Sequence, residues 1–176
     1  MTFDSRAQAY DPMRRPELFE GVPARRVVAF LIDMVIIASS LLLAGAIVLL
    51  LGLVTLGMGW GLFFLLAPPA WLVWAILYCG VTLGGPRSAT LGMRLMDLEM
   101  RTYYGAPAYF VLGAVHAVFF WLSVSALTPF VLLLCFFNER RRLLHDILLG
   151  TVIVNDARRA AMLRGAVAGG GIYKGL

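Results

Sequence analysis

Long runs without charge are the feature that most constrains this chain. Residues 27 to 53 carry no charged side chain except Asp33, and residues 108 to 137 carry no Asp, Glu, Lys or Arg at all. The chain is 61% hydrophobic, whereas a soluble domain is about 45–50% apolar. Runs of this length predict membrane-spanning helices, because a helix satisfies all its backbone polar groups within lipid. We therefore predict an all-α integral membrane protein.

The first two spans are placed by charge and proline. The first is predicted at about Val27–Leu50, behind Arg25 and Arg26, and is too long and too late for a cleaved signal peptide. Pro68-Pro69 interrupts the next run, and proline fits best in a first helical turn. A second span at about Pro68–Leu83 is therefore favoured, and the alternative is one kinked helix that starts near Trp60.

The run from 108 to 137 is too long for one simple span. Thirty residues of helix would measure about 45 Å, against a hydrocarbon core of about 30 Å. All fifteen Lys and Arg residues lie before the first span, in the 84–107 loop, or after Phe137. If positive loops are cytoplasmic, an even number of crossings separates 107 from 138. A hairpin of two short helices that turns near 123–129 meets this condition, and the alternative is one long, tilted or kinked span.

These arguments predict a polytopic helical bundle of about four transmembrane or re-entrant helices, with a short amphipathic cytoplasmic segment in the 84–107 loop. The predicted segments are a polar cytoplasmic amino-terminal segment (1–24), a transmembrane domain (25–156) and a basic, glycine-rich, loosely structured tail (157–176). Both termini are expected in the cytoplasm, and the membrane is expected to be a bacterial inner membrane. The basic residues flank apolar spans, which predicts contact with anionic lipids and not with nucleic acid.

Asp33 is the candidate site residue inside the first span. A helical spacing of seven puts Arg26 and Ser40 on the same face as Asp33. An ionised Asp at the centre of a span costs about 2.5–3.5 kcal/mol, so it needs a partner or a proton. Two interpretations are open, namely an ion or proton site and a buried structural pair with an arginine.

Other polar residues give weaker signals. Asp146 has Arg142 four residues before it, which predicts a surface ion pair at headgroup level or a functional carboxylate. His116 lies within an apolar run, where a hydrogen-bonded core histidine is more common than a proton relay. Arg94 and Arg101 are expected to face lipid headgroups.

No enzyme motif is present, so no catalytic residue is predicted and the protein is expected not to be an enzyme. The two cysteines, Cys79 and Cys135, lie within apolar runs and show no metal-binding spacing. No metal site, cofactor or disulfide is therefore expected.

Three segments in order resemble the RDD family, which is named for one arginine and two aspartates. "RRVVAFLID" is similar to the opening of the family and contains Arg26 and Asp33. "SATLGMRLMDLEM" resembles its middle loop, with Met93 where the family often has lysine. "RRRLLHDILLGTVIV" resembles its closing segment and contains Asp146, while His116 lies near the position where many members carry an arginine. The resemblance implies a multi-span membrane domain, and transport has been proposed for the family.

Two functions follow as hypotheses. In the first, the protein is a cation- or proton-coupled transporter and is expected to form a homo-oligomer. Asp33 would bind and release the proton or cation, Arg26 would modulate the pKa of Asp33, and Asp146 would close the cytoplasmic mouth. In the second, it is an accessory or assembly subunit of a larger membrane complex, in which the Arg and Asp residues fix helix register. Aromatic side chains would then dock the partner, namely Trp71, Trp74, Phe119, Phe120 and Trp121.

Overall fold

The structure is a computed structural model that describes residues 10–127 and 142–168. After a 3-10 turn at Pro16–Leu18, the elements in chain order are α1 (Val22–Val54), α2 (Met58–Leu83), α3 (Leu91–Leu95), β1 (Leu98–Thr102), α4 (Phe110–Leu127), α5 (Leu144–Leu148), β2 (Thr151–Asn155) and α6 (Ala157–Ala168). The fold is mostly helical, as predicted. It is not all-α, because β1 and β2 pair as a small antiparallel sheet.

α1 and α2 are both longer than the spans that the sequence predicted. α1 is longer than predicted and ends at a tight turn, in which Leu56 and Gly57 both have positive φ angles. α2 continues without a break through Pro68 and Pro69, so the predicted start at Pro68 is wrong and the alternative of a single helix is correct. A helix end leaves several backbone N–H and C=O groups without partners, whereas two prolines within a helix interrupt fewer hydrogen bonds. In apolar surroundings, where water cannot replace these partners, a continuous helix is therefore favoured.

Small residues allow α2 and α4 to pack closely. A Cβ atom on Gly113 would lie 2.9 Å from the carbonyl oxygen of Cys79 and 2.9 Å from Cβ of Leu83. Such close backbone approach at small residues is typical of helices that pack in membranes. α4 is continuous over 18 residues, longer than the arm of about fourteen predicted for the hairpin. The second arm, with Cys135, lies outside the described residues.

The polar segments form a cap at one end of the helices. We define the cap as the 3-10 turn with α3, β1, α5, β2 and α6. β1 pairs with β2 so that Leu98 lies opposite Asn155, and every residue of β2 is buried. Ile153 joins one apolar cluster with residues of α1 and α3, while Val152 and Val154 join another with Leu18. Because β1 precedes α4 and β2 follows it, the chain returns to the same end after α4.

Two predictions about the cap are wrong in part. The predicted amphipathic segment after residue 90 is only a five-residue helix, and the strand β1 follows it. The tail predicted to be loose is helical over Ala157–Ala168, and residues 169–176 lie outside the described part. β1 is stabilised by pairing with β2, although Leu, Glu, Met and Arg are not typical strand residues. The helix at Ala157–Ala168 agrees with its local sequence, which is rich in the helix formers Ala, Arg, Met and Leu.

Among the described residues, one helical stretch, within Pro16–Val54, is long and apolar enough to cross a membrane. Two shorter apolar helical stretches are Pro69–Leu83 and Phe110–Ser123. Large apolar side chains point outward along α1, for example Val35 and Leu42. This arrangement suits a helix whose surroundings are lipid.

Candidate functional site

Asp33 on α1 accepts three hydrogen bonds from α2 and from the start of α3. The Tyr78 hydroxyl donates to Oδ1 at 2.5 Å, the Gly92 amide donates to the same oxygen at 2.8 Å, and the Thr90 hydroxyl donates to Oδ2 at 2.6 Å. Thr90 is also the N-cap of α3, where its hydroxyl accepts from the Met93 amide. We call Asp33, Tyr78, Thr90 and Gly92 the Asp33 site.

These contacts explain how a carboxylate is accommodated between apolar helices. The Asp33 side chain is nearly buried, with 8% of the residue exposed. Hydrogen bonds to a charged group contribute about 1.5–3 kcal/mol each, which offsets its loss of water. The sequence predicted an arginine or a proton as the partner, whereas the partners found here are two hydroxyls and a backbone amide. Asp33 therefore ties α3 of the cap to α1.

Asp146 is the second buried carboxylate, and its ion-pair partner is Arg26. Arg26 Nη1 lies 2.7 Å from Asp146 Oδ2, and the Leu143 amide donates to the same oxygen at 3.0 Å. Asp146 is 0% exposed, so the predicted surface pair with Arg142 is wrong. Arg142 instead lies over the Tyr103 ring, 5.9 Å from its centroid. This buried ion pair joins α1 to α5, two helices that are far apart in the sequence.

Two histidines surround the other oxygen of Asp146. His116 Nδ1 lies 3.8 Å from Asp146 Oδ1, and His145 Nε2 lies 3.6 Å from it. The two rings pack edge to face, with centroids 4.7 Å apart. Both of these nitrogens are buried and have no hydrogen-bond partner among residues 10–127 and 142–168. We call Arg26, His116, His145 and Asp146 the Asp146 site.

The charges of the Asp146 site are set by burial and by Arg26. Burial raises the pKa of Asp146, but the Arg26 guanidinium outweighs this effect and holds that pKa well below its usual value. Burial lowers the pKa of His145 to about 3, against the opposing effect of Asp146. Asp146 is therefore ionised and His145 neutral at pH 7.

A cavity of about 360 Å³ connects the two sites, because Asp33 and Thr90 of the first and Arg26, His116 and His145 of the second all line it. The rest of its wall is mainly apolar and comes from α1, α2, α4 and the cap. Two buried polar clusters thus meet at one space between the helices and the cap.

The remaining predicted residues lie away from this cavity or have local partners. The Ser40 hydroxyl accepts from the Trp74 indole at 2.8 Å, which links α1 to α2. Arg94 Nε donates to a backbone carbonyl at 3.0 Å, and Arg101 pairs with Glu99 at 2.6 Å. Both arginines are half-buried, and their contact with lipid headgroups remains a prediction.

Sequence reasoning missed Tyr78, Thr90 and His145 as site residues. Thr90 precedes a short helical pattern and had a recognisable N-cap signal. Tyr78 is a hydroxyl within an apolar helix, where a buried Tyr usually finds a polar partner. Nothing in the sequence indicated that His145 would lie beside His116, because the two residues belong to different segments.

An apolar helix of membrane-spanning length, charged groups buried between helices and a polar cap define a helical membrane protein. The family model for the RDD family matches residues 21–150, a range that includes both the Asp33 site and the Asp146 site. The chain belongs to the RDD family, which is membrane-associated. No curated protein and no solved structure matches this chain.

Proposed function

We propose that this protein is a cation/proton-coupled transporter that binds a small cation in the cavity between the Asp33 and Asp146 sites. The observation that carries the proposal is that one arginine, one aspartate and two histidines line this cavity, namely Arg26, Asp33, His116 and His145. Ionisable groups that face the interior of apolar helices usually mark an ion or proton path. The proposed location is a bacterial inner membrane, with both termini cytoplasmic.

Asp33 is the proposed ligand for the transported ion. A carboxylate offers about four acceptor positions, and three hydrogen bonds occupy Asp33. One position is therefore open to a cation or a proton. The apolar wall around it strengthens any electrostatic interaction, because the local dielectric constant is low.

Arg26 and Asp146 are the proposed cytoplasmic gate. Their 2.7 Å ion pair holds α1 against α5 of the cap, beside the same cavity. Breaking this contact would separate the cap from α1 and open the cavity toward the cytoplasm. The cavity would then stay closed toward the cytoplasm as long as Asp146 is paired with Arg26.

Flux in proteoliposomes tests the proposal. Asp33→Asn is the decisive variant, because the amide oxygen can still accept from Tyr78 and Gly92 while its NH₂ donates to the Thr90 hydroxyl. The charge is lost but the hydrogen bonds are kept, so the variant is expected to fold. Glu20→Gln, which removes an exposed carboxylate of the amino-terminal segment, is the matched control.

The wild type and Glu20→Gln are expected to dissipate an imposed pH gradient when Na⁺ or K⁺ is added. Asp33→Asn is expected to lose this flux at least tenfold while it elutes as the wild type does in size-exclusion chromatography. Wild-type flux no greater than that of empty liposomes would contradict the proposal, and so would full activity of Asp33→Asn.

The accessory-subunit hypothesis receives less support from the aromatic residues. Trp71 and Trp121 pack against each other with ring centroids 6.3 Å apart, and Phe120 packs against Phe30 at 5.4 Å. These side chains already contact neighbouring helices of the same chain, so they leave less surface for a partner. Co-purification at a fixed stoichiometry, without flux, would favour this alternative over transport.

A further inference from the structure

We infer that His116, His145 and Asp146 form a binding site for a divalent transition metal of the zinc class. The ligands would be His116 Nδ1, His145 Nε2 and Asp146 Oδ1. The sequence predicted no metal site, because its two cysteines show no metal-binding spacing. The site is independent of transport and would stand if the protein moved no ion.

The separations are close to those of a metal site. Each of the three residues offers one ligand atom, and these atoms lie within 4.8 Å of one another. His145 Nε2 lies 3.6 Å and His116 Nδ1 3.8 Å from Asp146 Oδ1. In tetrahedral zinc sites the bonds are about 2.0–2.2 Å long, which places neighbouring ligand atoms about 3.4 Å apart. Shifts of a few tenths of an ångström would bring each nitrogen and the oxygen to this spacing.

The hydrogen bonding of His145 leaves a lone pair that faces the carboxylate. The Ser123 hydroxyl donates to the Phe120 carbonyl at 2.9 Å, so it can only accept from His145 Nδ1, 3.4 Å away. The proton of neutral His145 is then on Nδ1, and Nε2 points an unshared pair toward Asp146 Oδ1. A cation between these two atoms removes the repulsion, and Ser123 orients the imidazole as outer partners of metal-bound histidines commonly do.

Asp146 keeps one oxygen for this role. Arg26 and the Leu143 amide both bind Oδ2. Oδ1 accepts a long hydrogen bond of 3.4 Å from the Thr151 hydroxyl and faces the two imidazole nitrogens. Both histidines line the cavity, so a water molecule from it can complete a four-coordinate site. Two imidazoles, one carboxylate and one water suit Zn²⁺, Co²⁺ or Ni²⁺ better than Mg²⁺ or Ca²⁺.

Metal binding by the full chain in detergent tests this inference. The protein, carrying an affinity tag without histidine, is dialysed against a chelator, incubated with Zn²⁺ and desalted, and bound zinc is measured by mass spectrometry. About one zinc per chain is expected, with an absorbance band of protein-bound Co²⁺ in the visible range when Co²⁺ replaces Zn²⁺. His116→Gln and His145→Gln are each expected to weaken zinc binding at least tenfold.

Control variants test whether zinc binds to other carboxylate or thiol groups of the chain. Asp33→Asn, which changes the other buried carboxylate, and Cys79→Ser combined with Cys135→Ser are expected to bind zinc as the wild type does. The wild type should also unfold at a higher temperature with zinc than after chelation, which needs no variant. Absence of retained zinc in the wild type would overturn the inference. Equal zinc in the wild type and in the variant that combines His116→Gln with His145→Gln would overturn it too. Because binding is measured without a membrane, its failure and a failure of transport are distinguishable.

Discussion

Two buried carboxylates of this chain have different kinds of partner. Asp33 is held by hydroxyls and an amide, whereas Asp146 is held by a guanidinium. Hydroxyls can reverse their role when the carboxylate changes to an amide, but Arg26 can only donate. The two aspartates should therefore respond differently to neutral substitutions.

Removal of Arg26 tests this difference. Arg26→Gln leaves Asp146 buried without its cation, which should lower the free energy of unfolding by about 3–5 kcal/mol. The double variant Arg26→Gln with Asp146→Asn should recover most of that loss, because no uncompensated charge is left. Unfolding in detergent, followed by tryptophan fluorescence, measures both changes.

Arg14→Gln is the matched control, since the Arg14 side chain is 64% exposed. A change of no more than about 0.5 kcal/mol is expected for it. If Arg26→Gln were as stable as Arg14→Gln, the ion pair with Asp146 would have no part in holding the cap.

At the level of elements, the close approach of α3 to α1 depends on Gly92. A Cβ atom there would clash with the Ala29 carbonyl and lie 2.9 Å from Cγ of Asp33. Only a residue without a side chain lets the Gly92 amide reach the Asp33 carboxylate. Gly92 and Asp33 together therefore fix the position of α3 against α1.

Gly92→Ala should separate α3 from α1 and lower the free energy of unfolding by about 3 kcal/mol. Gly165→Ala is the control, because a Cβ atom there meets nothing within 4 Å and alanine favours a helix. The midpoints of thermal unfolding of the two variants give the comparison. Equal stability of the two would show that α3 does not lie against α1 as described.

For the whole molecule, the cap determines which ends of the helices lie together. β1, β2 and the 3-10 turn pack at one end, and the turn between α1 and α2 lies at the other end of α1. The even number of crossings predicted between 107 and 138 agrees with the return of the chain to β2. The full set of four spans remains a prediction.

Cysteine labelling in intact cells tests this topology in a background without Cys79 and Cys135. Glu20→Cys and Arg158→Cys should both react with a thiol reagent only after the cytoplasmic side is made accessible. Leu56→Cys, at a position 96% exposed in the α1–α2 turn, should react from the outside. Labelling of Glu20→Cys and Arg158→Cys from opposite sides would contradict the arrangement of the cap.

The amino-acid sequence by itself determined that this protein is a helical membrane protein and which family it belongs to. Long uncharged runs require a helical solution in lipid, and the three segments that contain Arg26, Asp33 and Asp146 indicated the RDD family. Element bounds were less predictable, because β1 forms only by pairing with β2. Its local sequence did not favour a strand.

Only the tertiary structure decided which charges meet. Helical spacing placed Arg26 near Asp33 and Arg142 near Asp146, yet Arg26 binds Asp146 and Asp33 binds Tyr78, Thr90 and Gly92. The reason is that a buried charge selects the partner that the packing of distant segments brings within about 3 Å. That distance is set by how α1, α2, α4 and the cap fit together, and not by separation along the chain.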